Sequence, residues 1–125
     1  MIRVLVVDDE PDYPRLLSII LSKEGFEVAT ATTGVEALEV GGYFAPDVLI
    51  VDWMLNGTED GLWVAEALRR KYPAIRTILI TGYPSMDLEA EVERLPAMRF
   101  LAKPFTPADL ISLVRHAIGQ EGNGA

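Results

Sequence analysis

The sequence contains no cysteine among its 125 residues. This absence excludes disulfide bonds and zinc sites with thiolate ligands. The chain also has no apolar run near the roughly 20 residues that a membrane-spanning helix needs. The N-terminus, MIRVLVV, has a run of only four apolar residues between Arg3 and Asp8 and no small-residue cleavage site, so no secretory signal is expected there. We therefore expect a cytoplasmic chain with no membrane partner.

The sequence has few basic residues relative to acidic ones. Eleven Lys and Arg residues stand against 19 Asp and Glu residues, which gives a formal net charge of −8. This sign argues against direct contact with nucleic acid, because such binding neutralises phosphates with cations. The excess of acid suits a basic protein partner or a divalent cation, although solubility alone is a competing explanation.

Short β-branched runs alternate with longer segments of helical periodicity, and the length suits one domain. The runs cover residues 2–7, 26–31, 47–51, 75–81 and 98–102. Those that start at 2, 47 and 75 are almost wholly apolar, which is typical of parallel strands buried on both faces. We predict an α/β fold, a doubly wound five-stranded parallel sheet in the flavodoxin-like order 2-1-3-4-5, with five helices on both faces.

Local signals indicate where several helices begin and end. Thr33 and Glu36 have the spacing of a capping box, while Thr106 is a cap candidate, followed by the first-turn proline Pro107 and the first-turn acid Asp109. The segment SMDLEAEVERL, 85–95, is predicted to be the least stable helix because it carries two like-charge pairs four residues apart. We expect the domain to cover residues 1–119, followed by a flexible tail or the start of a linker at 120–125. Glycines stand where two helices should stop: Gly25 and Gly119.

Reactive side chains follow four of the five predicted strands. Strand one ends at Asp8 and Asp9, strand three at Asp52, strand four at Thr81 and strand five at Lys103. In an open parallel sheet these ends meet at the edge where ligands bind. Three converging carboxylates repel one another, and a hard cation such as Mg²⁺ relieves that repulsion while keeping positions for phosphate oxygens.

The remaining groups suit phosphoryl chemistry. Lys103 offers a point charge for a phosphoryl group, Thr81 offers a hydroxyl donor, and Asp52 can act as a nucleophile that forms an acyl phosphate. Each residue alone also has a simpler interpretation. Asp8 or Asp9 could cap the first helix, and Thr81 could belong to an ordinary turn.

Four stretches, VLVVDDEP, DVLIVD, ILITGY and FLAKPF, lie in order at the strand ends. With them the sequence resembles the receiver domains of two-component response regulators, over essentially the whole chain to about Gly119. The resemblance implies that Asp52 takes a phosphoryl group from a sensor histidine kinase or a phosphotransfer protein. It also implies that Asp9, Asp52 and the backbone carbonyl of Met54 bind Mg²⁺ directly, with Asp8 acting through water.

The same resemblance implies a conformational switch. Thr81 and Lys103 would contact the phosphoryl group, and Phe100 would turn inward on activation, although by sequence alone Phe100 is an ordinary core aromatic. The surface of the fourth helix, fifth strand and fifth helix would then control a downstream protein, an output domain or a phosphorylation-dependent dimer. The Lys103-Pro104 bond is typically cis in this family. One departure is the loop DWMLNGTEDG, one residue longer than the common family loop.

Three alternatives stay open at this point. The first is a receiver-like interaction module that never uses phosphorylation, which the longer loop favours. The second is a phosphohydrolase with an aspartate nucleophile, although such enzymes of the haloacid dehalogenase type carry an Asp-x-Asp pattern after the first strand. The third is a mononucleotide binder, which would need a phosphate-cradling loop where Asp8 and Asp9 stand. We favour a signalling switch over an enzyme that acts on a free substrate.

Overall fold

The computed structural model describes residues 1–55, 60–82, 90, 92 and 98–119. Strands and helices alternate in it, as the sequence predicts. The strands are β1 (Arg3–Val7), β2 (Glu27–Ala31), β3 (Val48–Asp52), β4 (Arg76–Thr81) and β5 (Met98–Ala102). The helices given by the described ranges are α1 (Asp12–Lys23), α2 (Gly34–Phe44), α3 (Asp60–Lys71) and α4 (Pro107–Ala117).

The predicted helix over 85–95 falls almost wholly outside the described residues. Four helices are therefore seen in the described part of the chain where five were predicted, and the low stability of the 85–95 helix stays a prediction. The predicted tail, 120–125, also lies outside the described residues. Within the described ranges, no helix combines the length and the apolar character needed to cross a membrane.

The sheet has the predicted topology. Its five strands are parallel and lie in the order β2-β1-β3-β4-β5. The register pairs Val7 with both Ala31 and Val51, and Thr81 with Ala102. Neighbouring strands therefore end at nearly the same level, which brings the residues that follow them to one edge of the sheet.

Alternate residues of the central strands face two separate apolar clusters. Leu5, Leu49 and Leu79 point to the side covered by α2 and α3, where Val64 and Leu68 pack. The opposite side is covered by α1 and α4 and contains Val4, Ile50, Ile78, Leu21 and Leu110. Every residue of β3 is buried, as the unbroken apolar run predicts. Each fully buried aliphatic side chain contributes about 1.5–3 kcal/mol of transfer free energy, so these two clusters fix the sheet that carries the strand-end residues.

The cap predicted at Thr106, at the start of α4, is confirmed, and Asp109 completes it as a capping box. The Thr106 hydroxyl oxygen accepts from the Asp109 N–H at 3.0 Å, and the Asp109 carboxylate accepts from the Thr106 N–H at 3.0 Å. The glycines predicted to end helices are also confirmed, because both have positive φ: Gly25 at 92° and Gly119 at 78°.

The cap at the start of α2 is only half as predicted. Thr33 accepts from the Glu36 N–H at 3.0 Å, but the Glu36 carboxylate accepts from the N–H of Thr32 at 2.7 Å. The predicted hydrogen bond from the Thr33 N–H to the Glu36 carboxylate was therefore wrong, because that carboxylate pairs with the N–H of the preceding residue. At α1 the N-cap is Pro11, with no side-chain cap hydrogen bond among the described residues. The alternative role of Asp8 as a helix cap is wrong, because its two oxygens accept from the Glu10 N–H and from Lys103, whereas the same alternative for Asp9 stays open.

Candidate functional site

The edge at the carboxyl ends of the strands collects the predicted site residues. Asp52 and Thr81 are the last residues of β3 and β4, while Asp8 and Lys103 directly follow β1 and β5. Backbone hydrogen bonds extend the sheet pairing to this edge: the Asp8 N–H donates to Ala31 at 3.2 Å, and the Lys103 N–H donates to Thr81 at 2.7 Å. The side chains are therefore positioned by the sheet itself.

Three aspartates form an acidic cluster at this edge. One carboxylate oxygen from each of Asp8, Asp9 and Asp52 lies within 4.8 Å of the other two. Asp8 is 2% exposed and Asp52 is 8% exposed, while Asp9 is partly exposed. The predicted convergence of these carboxylates is present in the fold.

Lys103 lies between two of the three aspartates. Its Nζ donates to Asp52 Oδ2 at 2.8 Å and to Asp8 Oδ2 at 3.0 Å. The lysine side chain is only 14% exposed, so these ion pairs are largely shielded from solvent. The lysine balances one of the two charges it contacts, which leaves the cluster with net negative charge. The Lys103-Pro104 peptide is cis, as the family resemblance implies.

The second oxygen of each buried aspartate is held by backbone. Asp8 Oδ1 accepts from the Glu10 N–H at 2.9 Å, and Asp52 Oδ1 accepts from the Met54 N–H at 3.0 Å. Both contacts reach two residues along the chain, which is the local turn that aspartate favours. Each carboxylate is therefore fixed on one side by a turn and on the other by Lys103.

The electrostatics of the edge reflect this arrangement. Burial raises the pKa of Asp8 to about 6, against the opposing effects of the Glu10 N–H and Lys103. For Lys103, burial lowers the pKa, but hydrogen bonds and charge from Asp52 and Asp8 together outweigh it and raise the pKa above its ordinary value. The lysine is thus a fixed cation, whereas ionised Asp8 is costly in this environment.

A cavity of about 430 Å³ opens at the same edge. Asp52, Thr81 and Lys103 line it together, as the sequence predicts for a phosphoryl site. Thr81 is fully buried as a residue, so only a small part of it faces the cavity. The other lining residues are Asp9, Glu10, Met54 and Gly82.

The donor set of the cluster fits a hard divalent cation. All three side chains offer carboxylate oxygens, which are the ligands that Mg²⁺ prefers, and Asp9 and Asp52 reach the cavity. The net negative charge that Lys103 leaves uncompensated favours a second cation at the same place. Met54 also lines the cavity, but the role of its carbonyl as a ligand stays a prediction.

Phe100 lies away from the cavity. It is half-buried against the apolar cluster under α2 and α3, and its register partner in β4 is Leu79, two residues before Thr81. Phe100 also borders a groove of about 360 Å³ beside α4, together with Leu113 and His116. This places the predicted switch residue between the core and the α4 surface.

Two residues of the site were missed from the sequence. The ring of Tyr13, in the first turn of α1, covers Lys103 with the Nζ 4.0 Å from the ring centroid. Gly61 packs onto the end of β3, because a Cβ there would collide with the backbone of Asp52 and Trp53. A glycine just after a loop that follows the acceptor strand was a usable signal for Gly61. Sequence offers no comparable signal for Tyr13, since the contact depends on how α1 sits against β5.

Comparison with known proteins identifies the class of this domain. A family model described as the response regulator receiver domain matches residues 4–115. The chain therefore belongs to the response regulator receiver domains of two-component systems. A solved CheY-like receiver domain protein from Methanospirillum hungatei JF-1 matches with a TM-score of 0.86 and 28% identity, covering 99% of both chains.

Two curated relatives show different lengths. The chain is 31% identical over 118 residues to a putative NtrX-like response regulator of Rickettsia bellii (strain RML369-C), covering 94% of this chain but 25% of that relative. It is 28% identical over 121 residues to sporulation initiation phosphotransferase F of Bacillus subtilis (strain 168), covering 97% of each. The chain thus spans about a quarter of the first relative and nearly all of the second.

Proposed function

We propose that this receiver domain accepts a phosphoryl group on Asp52 and that the modification switches a binding surface. The donor would be a phosphohistidine on a sensor histidine kinase or a phosphotransfer protein. An Asp52 carboxylate oxygen forms the new P–O bond as the P–N bond to imidazole breaks, and the imidazole nitrogen keeps the electron pair and takes up a proton. The product is an acyl phosphate on β3.

The observation that carries this proposal is the way Asp52 is held. Its carboxylate lines the cavity while Met54 and Lys103 fix its two oxygens at 3.0 and 2.8 Å. A nucleophile fixed in this way loses little freedom during reaction, which is the principal means by which phosphoryl transfer is accelerated. The neighbouring lysine provides positive charge beside the transferring group.

The other residues have distinct proposed roles. Lys103 would move its ammonium from Asp8 to the phosphoryl oxygens, because these carry more negative charge than a carboxylate. Thr81 would donate its hydroxyl to another phosphoryl oxygen. Asp9 and Asp52, with Asp8 behind them, would hold Mg²⁺. When bound, this cation neutralises the charge that develops on the phosphoryl oxygens.

The proposed switch runs from Thr81 to Phe100. Movement of Thr81 toward the phosphoryl group would free space near the end of β4, beside which Phe100 is half-buried. Further burial of Phe100 would reshape the groove it forms with α4. That surface would control a downstream protein, an output domain or a phosphorylation-dependent dimer, in the cytoplasm and without direct contact with nucleic acid.

The proposal is tested by incubation with acetyl phosphate and Mg²⁺, followed by intact mass measurement and peptide mapping. We expect one added phosphoryl group, located on Asp52, that disappears in Asp52→Asn and when Mg²⁺ is chelated. Asp47→Asn is the matched control, because Asp47 lies exposed at the opposite end of β3, where it accepts from the Arg3 N–H. It should label like the unmodified chain.

Other results would favour the alternatives. The phosphorylation-independent interaction module would be supported if Asp52 stayed unmodified under these conditions and a partner protein bound equally well with and without acetyl phosphate. Steady-state hydrolysis of a phosphomonoester with many turnovers would instead support an enzyme with a free substrate. We expect neither, because Asp52 and Lys103 suit a single transfer to the chain itself.

A further inference from the structure

The aromatic ring of Tyr13 lies against the ammonium of Lys103. The Nζ is 4.0 Å from the ring centroid, well inside the distance at which a cation and an aromatic face attract. Two donors of the same ammonium are taken by Asp8 and Asp52 at 3.0 and 2.8 Å. Lys103 is thus surrounded by two carboxylates and one ring, and 14% of its side chain remains exposed.

Tyr13 is itself held in place by the segment that follows β5. Its ring packs against Phe105, with centroids 6.3 Å apart and planes tilted by 50°. Phe105 follows Lys103 by two residues, so the segment after β5 provides both the ammonium and a support for the ring that covers it. The first turn of α1 and this segment are therefore joined at Lys103.

We propose that Tyr13 is a positioning residue for Lys103. The ring restricts the ammonium to the place between Asp8 and Asp52 and shields these ion pairs from water. Lysine side chains otherwise lose considerable rotational freedom when they are held in one geometry. A lysine already held beside Asp52 needs little rearrangement to stabilise charge on an incoming phosphoryl group. This inference rests on the phosphoryl transfer proposed above.

Tyr13 also packs against the apolar cluster between the sheet, α1 and α4, so a purely structural role must be separated from positioning. Tyr13→Phe keeps the ring, whereas Tyr13→Leu and Tyr13→Met keep apolar bulk without an aromatic face. If positioning is correct, Tyr13→Phe labels with acetyl phosphate at the rate of the unmodified chain. The two non-aromatic variants should label roughly three- to tenfold more slowly, as expected for loss of a shielded cation–π contact.

A nuclear magnetic resonance measurement reads the contact directly. The ring should move the Lys103 ε-methylene proton resonances upfield in the unmodified chain and in Tyr13→Phe, and these resonances should return to ordinary lysine positions in Tyr13→Leu and Tyr13→Met. Phe105→Leu should give an intermediate position, because it removes the support of the ring but leaves the ring itself. Tyr43→Leu is the matched control, since Tyr43 is 77% exposed on α2.

Two results would overturn the inference. One is a Tyr13→Leu or Tyr13→Met variant that labels at the unmodified rate with unchanged Lys103 resonances. The other is a Tyr13→Phe variant as slow as the non-aromatic ones, which would assign the effect to the hydroxyl. If the unmodified chain is not labelled at all, the proposed function fails, and the Lys103 resonances still decide whether Tyr13 positions the lysine.

Discussion

The ammonium nitrogen of Lys103 lies 3.0 Å from Asp8 Oδ2, joining residues 95 positions apart in the chain. The same nitrogen contacts Asp52 at 2.8 Å. One lysine therefore connects the ends of β1, β3 and β5, and it does so in the place where the acidic cluster would otherwise repel itself. The geometry of the candidate site and the proposed chemistry both involve this lysine.

Replacing Lys103 with Met should destabilise the fold when divalent cations are chelated. Removal of one partner from a buried ion pair typically costs about 3–5 kcal/mol, and the slight exposure of these side chains reduces our expectation to about 2 kcal/mol. Urea unfolding in the presence of a chelator measures this free energy. Mg²⁺ should recover part of the loss, because it replaces the missing positive charge.

The matched control for this variant is Lys71→Met. Lys71 is exposed on α3, where its Nζ donates to the Gly42 carbonyl at 3.2 Å. We expect the free energy of unfolding of Lys71→Met to stay within about 0.5 kcal/mol of that of the unmodified chain, with no dependence on Mg²⁺. Equal losses in the two lysine variants would contradict a structural role for the Lys103 ion pairs.

Asp8→Asn should stabilise the domain in the absence of divalent cations, and the gain should depend on pH. Burial raises the pKa of Asp8 from 3.8 to about 6, so the folded state binds the proton more tightly than the unfolded state. Stability is then lost as pH rises from about 4 through about 6, because Asp8 must ionise in the fold. The amide does not ionise and avoids this cost.

The measurement is the difference in unfolding free energy between Asp8→Asn and the unmodified chain. We expect Asp8→Asn to be more stable by about 1–2 kcal/mol at about pH 8, with the difference disappearing near about pH 4. The same variant should bind Mg²⁺ more weakly. A stability difference that is the same at both pH values would show that ionisation of Asp8 is not its cause.

Gly61→Ala should destabilise the domain by about 2 kcal/mol or more, because overpacking against fixed backbone costs more than contact with a flexible side chain. The added Cβ would collide with the Asp52 carbonyl oxygen and with the Trp53 backbone. Thermal unfolding measures the effect. Gly82→Ala is the control, since a Cβ there meets nothing within 4 Å of it in the described structure. Equal melting temperatures would mean that the start of α3 shifts freely.

Much of this architecture could be predicted because the signals are local. The apolar runs predicted β1, β3 and β4, and the Thr106 cap and Gly119 predicted both ends of α4. The convergence of Asp8 and Asp52 followed from one rule, that parallel strands end at a shared edge. These features need only the residue types and the order of the strands.

Other features depend on distances that the pattern does not contain. The contact of Tyr13 with Lys103 requires the angle at which α1 packs on the sheet. The Glu36 carboxylate accepts from the Thr32 N–H rather than from the Thr33 N–H, a difference of one residue that the spacing of a capping box cannot resolve. The bridging position of Lys103 between two aspartates was likewise not predicted, because the lysine was expected only as a phosphoryl contact.

Asp9→Asn should weaken Mg²⁺ binding at least about tenfold while leaving the fold intact. Asp9 lines the cavity and is part of the acidic cluster, whereas the Lys103 Nζ contacts Asp8 and Asp52 instead. Its substitution therefore removes a proposed cation ligand while leaving both hydrogen-bond partners of the Lys103 ammonium in place. Trp53, directly after Asp52 and half-buried, can report binding by fluorescence in a Trp63→Phe background, because Trp63 is 50% exposed and would add signal.

Asp12→Asn in the same background is the control for this titration. Asp12 carries the same charge near the same edge, but its side chain is 92% exposed and pairs with Arg15. Both substitutions remove one negative charge, so general attraction of the cation falls similarly in each, and screening by salt reduces it further. A tenfold loss of Mg²⁺ affinity confined to Asp9→Asn would therefore assign Asp9 as a ligand. Equal small losses of affinity in both variants would show that Asp9 acts only through the overall charge of the domain.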